Sequence, residues 1–373
     1  MKNFINGLLT LFVLTTTIGA GGACCRTVQQ SLNAAIGDND YSFKISNPGA
    51  LMALKSPENT SGFEQIDLQD KQGRTQTTQV RYTAGLPLAQ ATNARTNICT
   101  AGDRETELFS NITTNYVREI KLTLNDADFE AFCATQSSMR DELTRKKLNA
   151  LYAAVNSDIV TELAANFGNH WSTGVNTPVQ VPLIDTDGGA NYWGEMEILN
   201  EFEDMETLGR PILISTGRLR EYAKLTKIAC CNDRGQNLDN AADFAYYRDG
   251  QVDQTIAATS NIIALAPGAS QLITRNNFVG QFEKFDGNNA KTTVTDPVSG
   301  LSLDMSVFYN WCENPDDQDA TARSTWVITW SLDFGIFTIP TDLMPVGSDW
   351  EGVNGILHFQ GTCGDANVCD SGS

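Results

Sequence analysis

A long amphipathic helical pattern in the middle of the chain is the feature that most restricts its fold. Between residues 143 and 167, apolar side chains recur at steps of three and four: Leu148, Leu151, Tyr152, Val155, Ile159, Leu163 and Phe167. This spacing puts them on one face of an α-helix, and Gly168 stands where a C-terminal cap is expected. Such a helix has about seven turns and is roughly 37 Å long, so other segments have to pack along one long rod.

Two further segments have the pattern of β-strands. Residues 116–124 alternate, with Ile120, Leu122 and Leu124 on one face. Residues 324–340 form a long apolar run, which predicts a very long strand with a bend at Gly335. Helix and strands together predict the α+β fold class.

Three hairpins are predicted from turn sequences. The first has its arms at residues 63–69 and 75–82, around a turn at 70–73. Its second arm is mostly polar and has little apolar surface to bury by itself, so this hairpin has to lie on the rest of the chain or on another copy. The other two hairpins flank Asp249-Gly250 and residues 296–300.

The remaining segments receive simpler predictions. A helix at about 194–205, an apolar strand at 212–214 and a helix carrying Leu219, Tyr222 and Ala223 form a small α/β layer. A further helix is expected to open at Asn125. Residues 41–62 and 83–115 are predicted to be irregular, and the tail after 341 to be loosely ordered apart from 356–359.

The charge balance restricts the partners. The chain of 373 residues has 26 Lys and Arg against 45 Asp and Glu, a net charge of −19. In the first 43 residues the only cations are Lys2 and Arg26, so there is no basic arm for packaging nucleic acid. Binding to an anionic membrane is disfavoured for the same reason. The negative charge keeps many copies of the chain soluble.

The sequence contains no motif of known catalytic chemistry. Its nine cysteines include no C-x-x-C pair and are expected to be mostly free thiols. The two histidines, His170 and His358, are too few for most metal sites and catalytic triads. Acidic runs at 185–187 and 313–319 lack the calcium-loop pattern. No enzymatic activity, metal site or cofactor is therefore predicted.

The first residues leave two alternatives open. Lys2, an apolar run at 8–14 and small residues before Cys24 have the parts of a secretory signal or a lipoprotein signal. The run is too short to span a bilayer, which takes about 20 apolar residues. The same run also suits an apolar arm that packs on a neighbouring subunit. Asn59 and Asn111 open glycosylation sequons, which have meaning only in a secreted chain.

The order of the elements resembles the major capsid protein of tailed bacteriophages. Residues 63–82 match the extended loop of that family and residues 143–167 its spine helix. Residues 195–223, with Leu-Gly-Arg-Pro-Ile-Leu-Ile at 208–214, resemble the passage leading into its axial domain. Residues 334–340 resemble the end of the last strand of its peripheral domain.

The resemblance implies a tailed-phage capsid fold with long strands and five segments. These are an N-terminal arm (1–40), an extended β-hairpin loop (41–95), a peripheral domain with the spine helix (96–190), an α/β axial domain (191–290), and the return strands of the peripheral domain with the C-terminal tail (291–373).

The resemblance also implies a function. The chain would be a structural protein whose hexamers and pentamers form an icosahedral shell around the phage genome, in a virion assembled in the host cytoplasm. Its partners would be copies of itself and other virion proteins such as portal or decoration proteins, without sequence-specific nucleic acid and without a membrane. The arm and the polar hairpin are the candidates for contacts between subunits, through Leu8, Leu11, Phe12, Phe63, Val80 and Tyr82.

Two other functions remain open. An acidic surface protein, secreted or lipid-anchored after removal of residues 1–23, has the same composition. A glycosidase with two catalytic carboxylates would require acidic side chains that converge in a cleft.

Overall fold

The structure is a computed structural model that describes fourteen stretches of the chain and one single residue. They are 48–60, 63–66, 77–82, 108–125, 137–184, 192–205, 207, 209–216, 244–256, 260–276, 289–296, 301–312, 323–340, 351–363 and 367–368.

The described helices are α1 (Gly49–Leu54), α2 (Pro57–Thr60), α3 (Ser137–Ala165), α4 (Tyr192–Asp204) and α5 (Val252–Thr255). The described strands are β1 (Phe63–Ile66), β2 (Thr77–Tyr82), β3 (Leu108–Thr113), β4 (Tyr116–Asn125), β5 (Val179–Ile184), β6 (Ile212–Ser215), β7 (Ala245–Arg248), β8 (Asn261–Leu265), β9 (Ser270–Arg275), β10 (Asn289–Thr295), β11 (Ser302–Cys312), β12 (Arg323–Thr338), β13 (Ile356–Cys363) and β14 (Asn367–Val368). This mixture of helices and sheets confirms the predicted α+β class.

The chain divides into two compact units. The described part of the first unit lies within 115–154 and 274–334, and that of the second within 48–114, 155–273 and 335–373. The boundary in β12 falls at Gly335, the residue at which a bend is predicted. The five-segment division made from the sequence stays a prediction.

Helix α3 is the predicted rod, but it begins at Ser137, six residues before the predicted start. The apolar stripe marks only the buried part of the helix, and polar helix-forming residues extend it beyond that stripe. The predicted C-terminal cap at Gly168 is wrong, because the helix already ends at Ala165. A side chain would not fit at Gly168, since a Cβ there would lie 2.2 Å from Oδ1 of Asn354.

In the first unit, β10, β11, β12 and β4 follow one another in an antiparallel sheet. The predicted hairpin at 296–300 is confirmed, and its base is closed by the Asp296 amide, which donates to the carbonyl of Leu301 (2.8 Å). Trp330 of β12 lies opposite Ile120 of β4 and is 1% exposed. The alternating apolar residues of β4 and β12 therefore contribute to the core of this unit.

The second unit contains a mixed sheet in the order β14-β13-β8-β6-β7, with β5 beside β13. Strand β6 pairs in parallel with β7 and antiparallel with β8. Strands β6 and β8 are buried along their whole length, as expected for the apolar residues 212–214 in the centre of a sheet.

The hairpin predicted at Asp249-Gly250 is wrong. After β7 the chain enters the short helix α5 instead of a returning strand. The carboxylate of Asp249 is buried and accepts hydrogen bonds from the amides of Ala50 (2.9 Å) and Gln251 (2.9 Å) and from Asn156 Nδ2 (2.7 Å). These tertiary contacts determine the direction of the chain, which the dipeptide alone does not.

The predictions of irregular structure are wrong in three places. The segment predicted to be irregular at 41–62 contains α1 and α2; Pro48 precedes α1 and Pro57 opens α2, and proline is favoured at the start of a helix. Residues 108–113 form β3 within the expected connection. The tail strand β13 extends to Cys363 and is mostly buried, because it lies between β5 and β8.

Two predicted helix starts are also corrected. Asn125 is the last residue of β4 and pairs with Thr325, so it does not cap a helix. Helix α4 begins at Tyr192, two residues before its predicted start. The helix predicted around Leu219, Tyr222 and Ala223 lies outside the described residues.

Candidate functional site

The predicted polar hairpin is present and has a third strand. Strands β1 and β2 pair antiparallel, with Phe63 opposite Tyr82 and Gln65 opposite Val80. Residues two apart in a strand share one face of the sheet, so Phe63, Val80 and Tyr82 lie on the same face.

Strand β3 adds apolar residues to this face. It pairs with β2, with Leu108 opposite Tyr82 and Ile112 opposite Thr78. This strand lies in a segment predicted to be irregular, although Leu-Phe-Ser-Asn-Ile-Thr at 108–113 contains aromatic and β-branched residues that favour a strand. We call this face the hairpin face; it carries the apolar Phe63, Val80, Tyr82, Leu108 and Ile112 together with the polar Gln65, Thr78 and Ser110. Leu8, Leu11 and Phe12 of the predicted arm lie outside the described residues.

Three large apolar side chains are exposed in the described part of the chain: Val117, Val175 and Met196. Val117 is 60% exposed and lies in β4 at the end of its sheet. Val175 belongs to a loop in which residues 172–178 are all exposed. Apolar side chains that are exposed singly are normal on a protein surface, so these three residues do not by themselves mark a contact surface.

Both histidines of the chain meet in a buried cluster of the second unit. His170 is fully buried and His358 is 6% exposed. Nε2 of His170 donates to the carbonyl of His358 (2.9 Å), and the ring of His358 stacks on Phe167 with centroids 4.5 Å apart. The sequence predicted no role for these residues, because 188 positions separate them and no local pattern shows that they meet.

Glu201 of α4 completes the cluster. Its Oε1 accepts a hydrogen bond from the amide of Ser172 (3.1 Å) and lies 3.6 Å from Nδ1 of His170. Burial opposes ionisation of Glu201, but hydrogen bonding to His170 and Ser172 and the charge of His170 outweigh it, and its pKa is lowered. Burial, assisted by repulsion from His170, lowers the pKa of His358 to about 4. His358 is therefore neutral at pH 7.

The other candidates from the sequence are not brought together. The acidic runs at 185–187 and 313–319 lie outside the described residues. Within the described stretches, no three His, Cys, Asp or Glu side chains form a metal-binding group. None of the described helices combines the length and apolarity needed to cross a bilayer.

The sequon at Asn59 has a structural explanation. Asn59 is fully buried, and its Nδ2 donates to the carbonyls of Leu54 (3.1 Å) and Ser270 (2.7 Å). Its Oδ1 accepts from the amide of Gly268 (3.1 Å). With every polar atom of the amide in use, the folded chain has no room for a glycan at this residue.

Comparisons with known proteins give matches only among solved structures. No family model and no curated protein matches the chain. The chain is similar to a structure described as the cyanophage A-1(L) capsid asymmetric unit, with 11% identity over 86% of this chain and 94% of that one and a TM-score of 0.44. It is also similar to structures from Mycobacterium phage Bobi (10% identity, 87% and 94%, TM-score 0.43) and Mycobacterium phage Che8 (10% identity, 81% and 85%, TM-score 0.39).

Proposed function

We propose that the chain is a structural subunit of a tailed-phage capsid, which assembles with copies of itself into the shell of a virion. The observation that carries the proposal is the order of elements. A hairpin with a long polar arm, an alternating strand, a helix of 29 residues, a buried α/β layer and a strand of 16 residues follow one another as the resemblance implies.

The hairpin face is the proposed contact with a neighbouring subunit. Its register places apolar residues of three strands on one side of a sheet, and a sheet of three short strands needs a second layer to bury such a face. We also propose that Leu8, Leu11 and Phe12 contact another copy. Further partners, such as portal or decoration proteins, and assembly in the host cytoplasm belong to the same proposal.

The acidic composition is consistent with this role. With a net charge of −19, the inner surface of a shell does not adhere to the polyanionic genome that it encloses. Contacts that repeat around five-fold and six-fold rings close into a container without a basic arm. The proposed role is structural, without a catalytic residue.

Assembly is the direct test. The full chain, expressed in a bacterium and purified, is expected to sediment as rings or shells that negative-stain electron microscopy shows. A monodisperse monomer of 373 residues at every protein concentration and ionic strength would contradict the proposal.

A pair of adjacent substitutions tests the hairpin face. Val80→Asp puts a charge on the hairpin face, whereas Gln79→Asp puts the same charge on the opposite face of the same strand. We expect V80D to remain a folded monomer and Q79D to assemble. Equal assembly of both variants would exclude the hairpin face as a contact, while the assembly of the unaltered chain would still stand.

The secreted alternative makes a different prediction. Removal of a signal or acylation of Cys24 would change the intact mass of the natural protein by about 23 residues or by a lipid. The capsid proposal expects neither. The burial of Asn59 also excludes glycosylation at one of the two sequons in the folded chain.

A further inference from the structure

The hydrogen bonds around His170 determine where its protons lie. Nε2 faces the backbone carbonyl of His358, which only accepts, so this nitrogen carries a hydrogen. A neutral His170 would then present the lone pair of Nδ1 to its surroundings.

The atom that faces Nδ1 is also an acceptor. Oε1 of Glu201 lies 3.6 Å from Nδ1 and already accepts from the amide of Ser172. Nδ1 is buried and has no other hydrogen-bond partner. Two lone pairs facing each other in a buried site repel, and a proton between them turns the repulsion into an ion pair. The geometry therefore requires one proton on the His170–Glu201 pair.

His358 does not compete for this proton. Asn261 donates its side-chain Nδ2 to Oδ1 of Asp253 (2.9 Å), so its Oδ1 faces His358 as an acceptor. Nε2 of His358 donates to that oxygen (2.9 Å), which fixes the Nε2–H tautomer of a neutral ring. Among the described residues, His170 is the titratable group that acts on the pKa of Glu201, and it also acts on the pKa of His358.

The pair holds an exposed loop. The amide of His170 donates to the carbonyl of Val175 (3.0 Å), and the amide of Gly174 donates back to the carbonyl of His170 (2.8 Å). Gly174 has a φ of +67°, which permits this tight return. With Ser172 attached to Glu201, residues 172–178 are fixed at both His170 and α4.

We propose that one proton shared by His170 and Glu201 locks the exposed loop 172–178 onto α4, and that loss of this proton releases the loop. This pH-dependent latch consists of two buried residues, His170 before the loop and Glu201 of α4. It acts within the second unit and does not depend on assembly.

The scarcity of histidine makes the proposal testable. With ¹⁵N-histidine labelling of the full chain, only two imidazole rings give signals, and His358→Gln assigns them by removing one. At pH 7 we expect His170 as an imidazolium and His358 as the neutral Nε2–H tautomer. A neutral His170 at pH 7 would overturn the proposal.

Two matched variants test the latch. Glu201→Gln removes the buried carboxylate, whereas Glu197→Gln makes the same change one turn earlier in α4, at an exposed residue. We expect E201Q to leave His170 neutral and to raise hydrogen exchange in peptide 171–178 at least tenfold, and E197Q to change neither. Unchanged exchange in E201Q would overturn the latch.

The unaltered chain provides a second measurement if E201Q does not fold. As the pH rises, the imidazolium signal and the protection of peptide 171–178, corrected for intrinsic exchange, are expected to be lost with one midpoint. Loss of the imidazolium with full retention of protection would refute the coupling.

Discussion

Acidification is expected to destabilise the second unit through His358. The ring is 6% exposed, stacks on Phe167 and donates to Asn261. Its pKa falls from 6.5 to about 4, through burial and then through repulsion from His170. Between pH 6.5 and pH 4, His358 is therefore protonated in the unfolded chain but neutral in the folded chain. Its contribution to the free energy of unfolding is complete above pH 6.5 and is lost as the pH falls towards 4.

The magnitude follows from the width of this window. Each pH unit within this window lowers the free energy of unfolding by about 1.4 kcal/mol. The loss is about 3 kcal/mol between pH 6.5 and 4 and about 2 kcal/mol between pH 7 and 5. The interval from pH 7 to pH 5 isolates the effect of His358. The lowered pKa of Glu201 also removes stability as the pH falls, but only below its ordinary value of 4.5.

Urea unfolding of the dissociated subunit at pH 7 and pH 5, followed by tryptophan fluorescence, measures the effect. His358→Gln keeps a donor for Asn261 and removes the titrating ring. The variant is expected to be less stable at pH 7, because the stack on Phe167 is lost, and to lose about 2 kcal/mol less than the unaltered chain on going to pH 5. Equal losses in both proteins would refute the reasoning, as would a midpoint near 6.5 in an NMR titration of His358.

Three further predictions concern buried contacts, each measured by urea unfolding of the dissociated subunit. Tyr152→Phe removes the 2.6 Å hydrogen bond to the buried carboxyl of Asp296 and is expected to cost about 1–3 kcal/mol; a cost below about 0.5 kcal/mol would mean that Asp296 finds another donor. Asn59→Ala leaves the amide of Gly268 and the carbonyl of Ser270 without their partner and is expected to lower the free energy of unfolding by about 2–4 kcal/mol. The control is Asn176→Ala at an exposed residue, and similar stabilities of the two variants would contradict the role assigned to Asn59. Gly168→Ala forces a methyl group against Asn354 and is expected to lower the free energy of unfolding by about 1–3 kcal/mol. Gly250→Ala, with open space around its Cβ position, is expected to lower it less. The reverse order would show that the segment around Asn354 shifts easily.

The sequence by itself determined the elements whose pattern is local. The steps of three and four from Leu148 to Phe167 predicted the long helix, because a helix buries one stripe wherever it lies. The alternation at 116–124 and the apolar length of 324–340 predicted β4 and β12 for the same reason. The hairpin around 296–300 followed from its turn residues, since neighbours in sequence pair there.

Only the tertiary structure decided what distant residues do to each other. Asp249-Gly250 became a strand-to-helix turn because Ala50 and Asn156 lie against the carboxylate. The tail strand became part of a sheet because β5 and β8 flank it. Burial and His170 act on the pKa values of Glu201 and His358, and no local pattern of the sequence shows either influence. Periodicity reports which face of an element is apolar, whereas the partner of that face and the proton on a buried ring depend on the energy of the whole packed unit.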